Sequence, residues 1–403
     1  MVYRNHPVYA SDHSVRADRG GTSPDMRQQS PIYTSHVIPS LDVIDWHVFL
    51  GRPPLAQPTY QTIDAIRRER ILVTGAGGSI GSALACRLAG IAPRRLVLLE
   101  SSESALFSLQ GKLAEATLSQ IPKCILGGVL DADLVEEIFE HHAPSVVFHA
   151  AAFKHVPLLE EQPLAAIENN VFGTKSLVLV AAAHGARVVL LSTDKAVEPA
   201  SVLGATKRVA ERIVLAAGGT VLRLGNVLAS SNSVAEMFAH QIAAGGPLTV
   251  TDRAARRYFL TIEEAVDLLI AASAEADRPL LLAPDLGSTH YVADLARFMA
   301  RVLAAEREVS IEFTKPRPGD KELERLCTSD ETVVPAMAQG LLSIHSSSMT
   351  AAAFDRELDA LRNSARARDL PATIGCLRSL APDFTPSAAL LGLAQRTVSR
   401  AAR

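Results

Sequence analysis

The sequence predicts an α/β fold in which helices cover both faces of a doubly wound parallel sheet. From Arg70 onward, short runs of apolar and β-branched residues alternate with segments of helical periodicity. Runs of continuous apolar character are typical of parallel strands that are buried on both faces. A glycine-rich turn follows the first run and opens the first helix, which is the usual beginning of such a sheet.

Six strands are predicted between residues 70 and 225. In chain order they are RILVT, RLVLLE, KCILGG, SVVFHA, RVVLLS and TVLRLG, with helices such as SIGSALACRLAG and DADLVEEIFEHH between them. After Gly225 the alternation weakens, where VAEMFAHQIAAGG and TIEEAVDLLIAASAEA predict helices and PLTVT predicts a short extended piece. This region is too irregular for a second sheet, so we expect a smaller lobe packed on the first domain.

These patterns divide the chain into five segments. We expect a mobile tail over residues 1–41, an ordered lead-in against the main domain over 42–69, the main domain over 70–225, the smaller lobe over 226–330 and a helical extension over 331–403. Within the extension, AFDRELDALRNSARARDLPATIGCLRSL has helical spacing, and ALLGLAQRTVSRAAR is interpreted as an exposed helix or tail.

Composition and charge exclude several classes of protein. Of the 403 residues 48% are hydrophobic and the formal net charge is −3, so the chain can bury a large core but lacks the basic field that nucleic acid requires. The four cysteines are far apart without a CxxC pair, and no signal peptide or H-E-x-x-H pattern is present. The apolar runs are shorter than the ~20 residues of a membrane helix. We therefore expect a cytoplasmic protein without a metal site or a transmembrane segment.

The turn after the first strand has the spacing of a dinucleotide-binding loop. ILVTGAGGSIGSALACRLA places Gly75, Gly78 and Gly81 at the junction of strand and helix. Small residues allow the tight turn and the close approach of a pyrophosphate, while the helix start at Ser79 and Ile80 supplies oriented N–H groups. A glycine-rich turn without a ligand is the alternative that these residues leave open.

An acidic residue, Glu100, stands at the end of the second strand. Its carboxylate can accept both hydrogen bonds of a ribose diol, and the following SSESALF offers no basic residue for a 2′-phosphate. The pattern therefore favours NAD over NADP.

The same loop also satisfies the G-x-S-x-G pattern of a hydrolase, through Gly77, Ser79 and Gly81. A nucleophile elbow normally follows several earlier strands, whereas only the tail and the lead-in precede this one. We therefore interpret Ser79 as a helix-capping or phosphate-contacting hydroxyl.

A second stretch, STDKAVEPASVLGATK, follows the fifth strand at the edge where such sheets bind ligands. It places Thr193, Asp194 and Lys195 in a row and Lys207 on the following helix. A buried acid beside an amine is suited to removing water from a carbon chain, although a surface turn with a salt bridge is an alternative. Leu203 stands four residues before Lys207, where sites of this type usually keep a tyrosine.

Six motifs follow one another along the chain in the order that is typical of one enzyme family. They are TGAGGSIGS, HAAAFKHVPLLEEQPLAAIENNVFGT, STDKAVEPASVLGATKRVAE, RLGNVLASSNSV, GGPLTVTDRAARRYFLTIEEAV and KPRPGDKE. The chain resembles the CapD-type polysaccharide-biosynthesis branch of the extended short-chain dehydrogenases, the nucleotide-sugar 4,6-dehydratases. The resemblance covers about residues 42–387 and implies an NAD-binding Rossmann domain with a smaller substrate-binding lobe.

The resemblance also implies a reaction on a UDP-linked N-acetylhexosamine, typically UDP-N-acetylglucosamine. Hydride leaves C4 for NAD, water is eliminated across C5 and C6, and hydride returns to C6. By position, Asp194 would protonate the C6 hydroxyl, Lys195 would take the C5 proton and Thr193 would hydrogen-bond the C4 oxygen. Lys207 would hold the nicotinamide ribose. Because the phenol is missing at Leu203, the base for the C4 hydroxyl would be Asp194 or Lys195.

Further positions are assigned by motif. Asp131, Ala150 and Lys154 are expected to contact the cofactor. Substrate contacts are expected from Lys154, His155, Asn226, Arg256, Arg257 and Arg317. For the arginines the reason is that a planar guanidinium can bind a pyrophosphate through two hydrogen bonds. For His155 a structural role, and for each arginine a solvated surface position, is the alternative.

Several features depart from the family pattern. Gly128 stands where an aspartate that reads adenine is usual, so Asp131 is the nearer acid, and Asn232 and Glu236 replace a usual glycine and proline. The long members carry membrane helices and a further N-terminal domain, which this sequence is expected to lack. A homo-oligomer is expected, because enzymes of this fold often pair through helices beside the sheet. An epimerase of the same fold and a silent NAD and UDP-sugar binding module are the alternatives.

Overall fold

The computed structural model describes residues 38–275, 279–304, 307–345 and 351–401. Most of the segment predicted as a mobile tail lies outside these ranges. The strands are Arg70–Thr74 (β1), Arg95–Glu100 (β2), Lys123–Leu126 (β3), Val146–His149 (β4), Arg187–Thr193 (β5), Thr220–Leu224 (β6), Asn226–Val227 (β7), Leu248–Val250 (β8), Arg256–Arg257 (β9), Phe259–Leu260 (β10), Leu280–Pro284 (β11), His290–Tyr291 (β12), Ile311–Phe313 (β13), Thr332–Pro335 (β14) and Leu341–His345 (β15).

The α-helices cover both faces of the sheet and form the lobe and the extension. They are Trp46–Leu50 (α1), Tyr60–Arg67 (α2), Ser79–Ile91 (α3), Glu103–Glu115 (α4), Ala132–His142 (α5), Val156–Glu161 (α6), Pro163–Ala166 (α7), Thr174–Ala183 (α8), Val202–Ala216 (α9), Val234–Ala243 (α10), Ile262–Ala274 (α11), Val292–Leu303 (α12), Ala351–Arg366 (α13), Leu370–Leu380 (α14) and Ala388–Ala401 (α15). A π-helical stretch, Ile167–Gly173, joins α7 to α8, and short 3-10 helices span Leu41–Val43 and Asp194–Ala196.

Within the described ranges, the central sheet has nine strands in the order β14-β15-β11-β6-β5-β4-β1-β2-β3. The seven strands from β11 to β3 are parallel, and β15 and β14 are antiparallel to their neighbours. The doubly wound parallel sheet is thereby confirmed, and β1 to β6 coincide with the six predicted strands. The chain turns to opposite sides of β1 to make β2 and β4, which opens a crevice at their carboxyl ends.

The register brings the ends of the central strands to one edge. Thr74, the last residue of β1, lies opposite Leu99 of β2 and His149 of β4, and Thr193 of β5 lies opposite Leu224 of β6. The residues that follow these strands therefore lie around one crevice.

The lead-in and the lobe share a second hydrophobic core. Trp46 and Leu50 of α1 belong to it together with Phe238 of α10 and Met299 of α12. The lead-in had been expected against the main domain, and α2 does contact α3 and α11 there, but α1 packs with the lobe.

The segments after the lobe combine strands and helices. Residues 331–345 form β14 and β15, and the predicted helical character begins at α13. The last helix, α15, was interpreted as an exposed helix or tail. Its Leu390 and Ala394 are buried in the main core, so one face of this helix is covered. No helix in the described part of the chain is long and apolar enough to cross a membrane.

Candidate active site

The glycine-rich loop between β1 and α3 is too tight for side chains. Gly75 has φ +67°, and a Cβ placed there would lie 2.6 Å from the Ala151 nitrogen. A Cβ at Gly81 would lie 2.0 Å from the Gly75 oxygen. Helix α3 begins at Ser79 with Gly78 as N-cap and without a side-chain cap. Of the two roles predicted for Ser79, helix capping is therefore wrong, and contact with a phosphate stays a prediction. Among the described residues no side chain accepts from the first N–H groups of α3, as an anion site requires.

Glu100 fixes the outer side of this loop. Its Oε2 accepts the Gly77 N–H at 2.9 Å and its Oε1 accepts the Ser102 N–H at 2.8 Å, while the residue is 8% exposed. The carboxylate therefore stands at the end of β2 beside the glycine loop, where the sequence predicted a ribose partner.

The other cofactor positions surround the same loop. Asp131 caps α5 by accepting the Leu134 N–H at 3.1 Å, and the Ala150 N–H donates to the Thr74 oxygen at 3.1 Å. At Gly128 an added Cβ would meet, within 4 Å and among the described residues, only the Ser101 Cβ at 3.8 Å, so space remains beside this position.

A loop after β7 lies against the start of α3. Ser79 donates through its hydroxyl to Ser231 Oγ at 3.0 Å and accepts the Ser231 N–H at 2.9 Å. Lys154 Nζ donates to the Ser231 oxygen at 2.8 Å. Among the described contacts Ser79 has no histidine partner, so the hydrolase alternative lacks its base here.

Thr193, Asp194 and Lys195 meet at the end of β5. Asp194 is fully buried, and its Oδ1 accepts hydrogen bonds from Thr193 Oγ1 at 2.9 Å and from Lys195 Nζ at 3.0 Å. The second carboxylate oxygen, Oδ2, has no hydrogen-bond partner among the described residues. Lys195 Nζ also donates to Asn226 Oδ1 at 3.0 Å, and its side chain is 22% exposed. The predicted row is thus a connected acid–amine cluster with one acceptor oxygen unused.

A second carboxylate, Glu324, which no sequence motif above predicted, joins this cluster. Its side chain is 2% exposed, with Oε1 3.9 Å from Lys195 Nζ and Oε2 2.6 Å from Lys321 Nζ. Glu324 follows the motif KPRPGDKE by two residues. An acidic residue just after that motif was the signal in the sequence that could have indicated it.

Burial and neighbouring charges set the protonation of this cluster. Burial raises the pKa of Asp194, and the negative charge of Glu324 adds to this against the opposing effect of Lys195. Burial alone would lower the pKa of Lys195, but the carboxylates of Asp194 and Glu324 outweigh it and raise that pKa. Burial alone would raise the pKa of Glu324, but Lys195 and Lys321 lower it. The free site therefore holds an ammonium at Lys195, a carboxylate at Glu324 and a readily protonated Asp194.

Arg257 holds the segment that carries Glu324. Its guanidinium donates to the backbone oxygens of Lys321 at 2.8 Å and Glu322 at 3.0 Å, and also to the Arg256 oxygen at 2.7 Å. These three carbonyls account for much of its hydrogen-bonding capacity. The binding of a pyrophosphate by Arg257 stays a prediction.

Lys207 and Leu203 lie one helical turn apart on α9. Lys207 Nζ donates to the Leu191 oxygen at 2.7 Å, and burial lowers its pKa to about 8. Leu203 is 5% exposed and belongs to the main hydrophobic core. The position of the usual tyrosine therefore contributes packing and no titratable group.

The remaining predicted substrate-binding residues differ in their contacts and in their exposure. Arg256 stacks on the Tyr291 ring at 4.6 Å and donates to the Thr289 oxygen at 3.0 Å. His155 is exposed at the N-cap of α6 without a capping bond, and Arg317 is an exposed arginine 2.9 Å from Asp320. Their assignment to a substrate stays a prediction.

The loop 197–201, hereafter the active-site loop, connects the cluster to α9 and is held from two later segments. Lys321 Nζ donates to the Val197 oxygen at 2.8 Å. Asp383 Oδ2 accepts the Glu198 N–H at 3.2 Å, and the Thr385 N–H donates to the Pro199 oxygen at 2.9 Å. Nothing in the sequence indicated that Lys321, Asp383 and Thr385 would contact this loop, although Lys321 lies in the quoted motif KPRPGDKE.

The comparison with known families decides where the chain belongs. A family model described as "Polysaccharide biosynthesis protein" matches residues 71–345, which include the glycine loop and the acid–amine cluster. The chain belongs to the polysaccharide biosynthesis protein family. Its fold is that of the extended short-chain dehydrogenases.

Relatives within the polysaccharide biosynthesis family are similar over much of the chain. The probable polysaccharide biosynthesis protein EpsC of Bacillus subtilis (strain 168) is 40% identical over 294 residues, 70% of this chain and 49% of that protein. The capsular polysaccharide biosynthesis protein CapD of Staphylococcus aureus is 36% identical over 303 residues, 72% of this chain and 50% of that protein. The chain spans about half the length of these relatives. The X-ray structure of Pen from Bacillus thuringiensis is 27% identical with a TM-score of 0.64, covering 70% of this chain and 90% of that one.

Proposed function

We propose that this chain is an NAD-dependent nucleotide-sugar 4,6-dehydratase that acts on a UDP-linked N-acetylhexosamine, with UDP-N-acetylglucosamine as the first candidate. The observation that carries the proposal is the buried pair of Asp194 and Lys195, with Asp194 Oδ2 unpartnered among the described residues. Elimination of water needs an acid for the leaving hydroxyl and a base for the carbon-bound proton. Epimerisation at C4 breaks no carbon–oxygen bond and needs no such acid.

The glycine loop and Glu100 fit a dinucleotide. A Cβ at Gly75 or Gly81 would collide with backbone, so only glycine allows this tight turn, which lets the backbone of the loop approach a pyrophosphate closely. Glu100 would hold the ribose diol, and the backbone of Ser79 and Ile80 at the start of α3 would face the pyrophosphate. Once bound, NAD supplies the hydride exchange that makes C4 a ketone and later reduces C6.

The chain's own residues would perform the proton transfers. Asp194 Oδ2 accepts no hydrogen bond within the described part of the chain, and we assign it to the hydroxyl protons of the substrate. Lys195 is assigned to the C5 proton, which becomes acidic once C4 is a ketone. Because neighbouring carboxylates hold Lys195 as an ammonium, it must lose a proton before it can accept the one on C5. Thr193 Oγ1, 2.9 Å from Asp194 Oδ1, would orient the acid.

Basic side chains near the crevice support an anionic substrate. Lys154 lies against the loop that covers the start of α3, and Arg256 lies beside Tyr291 in the lobe. A cation and an arginine on an aromatic ring suit a nucleoside diphosphate. UDP as the nucleotide, and the N-acetylhexosamine, come from the resemblance of the motifs.

The test is incubation of the purified protein with NAD and UDP-N-acetylglucosamine, followed by mass spectrometry and proton NMR. We expect loss of one water and a new C6 methyl signal. A product of unchanged mass with inverted C4 would replace the proposal with an epimerase. An unchanged sugar, with NAD and sugar binding shown separately by calorimetry, would instead indicate a silent binding module.

Asp194→Asn gives the matched variant, since the amide keeps the shape and removes the acid. We expect the dehydrated product to fall by about 10²-fold or more, the usual contribution of a positioned acid. Sugar-nucleotide binding should change little. Full turnover in this variant would remove Asp194 from its assigned role.

A further inference from the structure

Glu324 is a buried carboxylate that the proposed reaction does not use. Its Oε2 forms an ion pair with Lys321 Nζ at 2.6 Å, and Lys321 donates its hydrogen bond to the Val197 oxygen, which fixes it in place. Its Oε1 is left 3.9 Å from Lys195 Nζ. The Glu324 side chain is only 2% exposed, and the burial of a carboxylate costs free energy even when it is paired. Its position beside the Lys195 amine therefore indicates a function.

The proposed reaction releases a proton that needs an acceptor before water is eliminated. Oxidation at C4 releases the hydroxyl proton, and Leu203 offers no titratable group to receive it. If Asp194 takes this proton, Lys195 is still an ammonium and no base remains for C5. The cluster needs one further proton acceptor.

We propose that Glu324 takes one proton from Lys195 during each turnover and returns it at the end, an inference that rests on the proposed dehydratase function. The C4 hydroxyl proton first passes to the Asp194 carboxylate. The N–H bond of Lys195 then breaks, the electron pair stays on nitrogen and the proton binds Glu324.

The remaining transfers close the cycle without exchange with solvent. The neutral Lys195 amine takes the C5 proton, and Asp194 gives its proton to the C6 oxygen, which leaves as water. As C6 is reduced, Lys195 returns a proton to C5. Glu324 then returns its proton to Lys195, which restores two carboxylates and one ammonium. The C4 hydroxyl proton has left in the water.

The charges around Glu324 agree with this order. Lys195, Lys321 and Arg257 keep Glu324 a carboxylate at rest, as an acceptor must be. Protonation of Asp194 removes the closest counter-charge of Lys195, and a substrate over its 22% exposed side chain would exclude water. Both changes favour the neutral amine. A rotation of the Lys195 side chain would close the gap of 3.9 Å.

The experiment compares Glu324→Gln with Glu324→Asp and with Glu322→Gln, a matched control whose side chain is exposed in the same segment. In Glu324→Gln we expect kcat to fall about 10²-fold or more, with KM within about twofold. Quenched reactions should contain the 4-keto sugar nucleotide that still carries its C6 hydroxyl, because oxidation needs only Asp194. Glu324→Asp should recover part of kcat, and Glu322→Gln should match the wild type.

Wild-type kcat in Glu324→Gln overturns the inference. So does a slow variant in which the undehydrated ketone does not accumulate while KM rises or thermal stability drops, because that pattern indicates a structural role. If Glu324→Gln does not fold, Glu324→Asp must show reduced kcat with the same accumulation, or the inference fails. A wild-type protein that never dehydrates its substrate refutes the proposed function itself, and this inference with it.

Discussion

Replacement of Lys207 by methionine should stabilise the folded protein at neutral pH while it removes a residue of the candidate site. The side chain is 5% exposed, and burial lowers its pKa from 10.5 to about 8. At about 1.4 kcal/mol per pKa unit, this means that the folded protein holds the Lys207 cation at a cost of about 3 kcal/mol. Loss of the hydrogen bond to the Leu191 oxygen offsets about 1 kcal/mol of that, so we expect Lys207→Met to gain about 2 kcal/mol.

The gain should depend on pH in a defined direction. Between about pH 8 and 10.5 the unfolded chain holds a proton on Lys207 that the folded chain has released. The free energy of unfolding of the wild type therefore rises with pH across this window, whereas Lys207→Met lacks this contribution. The advantage of the variant should shrink by about 2 kcal/mol between about pH 7 and 9.5.

Urea unfolding of both proteins without added ligand, at the two pH values, measures this difference. Lys112→Met, at an exposed position of α4, is the control and should show no such pH-dependent gain. A Lys207→Met protein that is destabilised at neutral pH, or whose gain does not change with pH, would refute the reasoning that this amine is buried at a cost.

Three further outcomes follow from contacts elsewhere. Gly81→Ala should abolish NAD binding in calorimetry, because its Cβ has no room, whereas Gly90→Ala in the same helix meets nothing within 4 Å and should bind normally. Glu331→Gln should lower the free energy of unfolding in urea by about 3 kcal/mol, because Arg223 is fully buried against it; an unchanged midpoint would contradict this. Asp383→Ala should lower kcat with little change in thermal stability, because it releases an N–H of the active-site loop; unaltered kcat would show that the loop needs no such support.

The sequence predicted the main sheet because its strands are continuous apolar runs bounded by helices. It missed β11, although LLLAP is also a short apolar run, because the region around it lacks regular alternation. The antiparallel strands were beyond prediction for another reason. All four residues of β14 are exposed, and burial does not alternate regularly along the five residues of β15, so their pairing is decided by the edge of the sheet.

At the candidate site, the clustering of residues that are neighbours in the sequence was predictable, whereas contacts with residues far away in the sequence were not. Thr193, Asp194 and Lys195 are consecutive after an obvious strand, so their clustering followed from the fold. Glu324 reaches Lys195 only because Arg257 holds the carbonyls of the segment before it, which no spacing reveals. The prediction for Arg257 named a phosphate ligand, and its observed partners are backbone oxygens, since a guanidinium suits either.

The active-site loop shows why the support of such a site must come from far along the chain. Glu198 has φ 44°, a left-handed conformation that costs a residue with a side chain about 1 kcal/mol or more. Such a conformation persists only where the surroundings fix it. Here Lys321 and Asp383 bind the oxygen and the N–H of the peptide unit before Glu198, and Lys321 also reaches the Glu198 oxygen after it at 3.5 Å. The same Lys321 forms an ion pair with Glu324. Lys321 therefore helps to set the shape of the active-site loop and also pairs with the Glu324 charge beside Lys195. A substitution of Lys321 should disturb both, whereas a substitution of Asp383 should disturb only the loop.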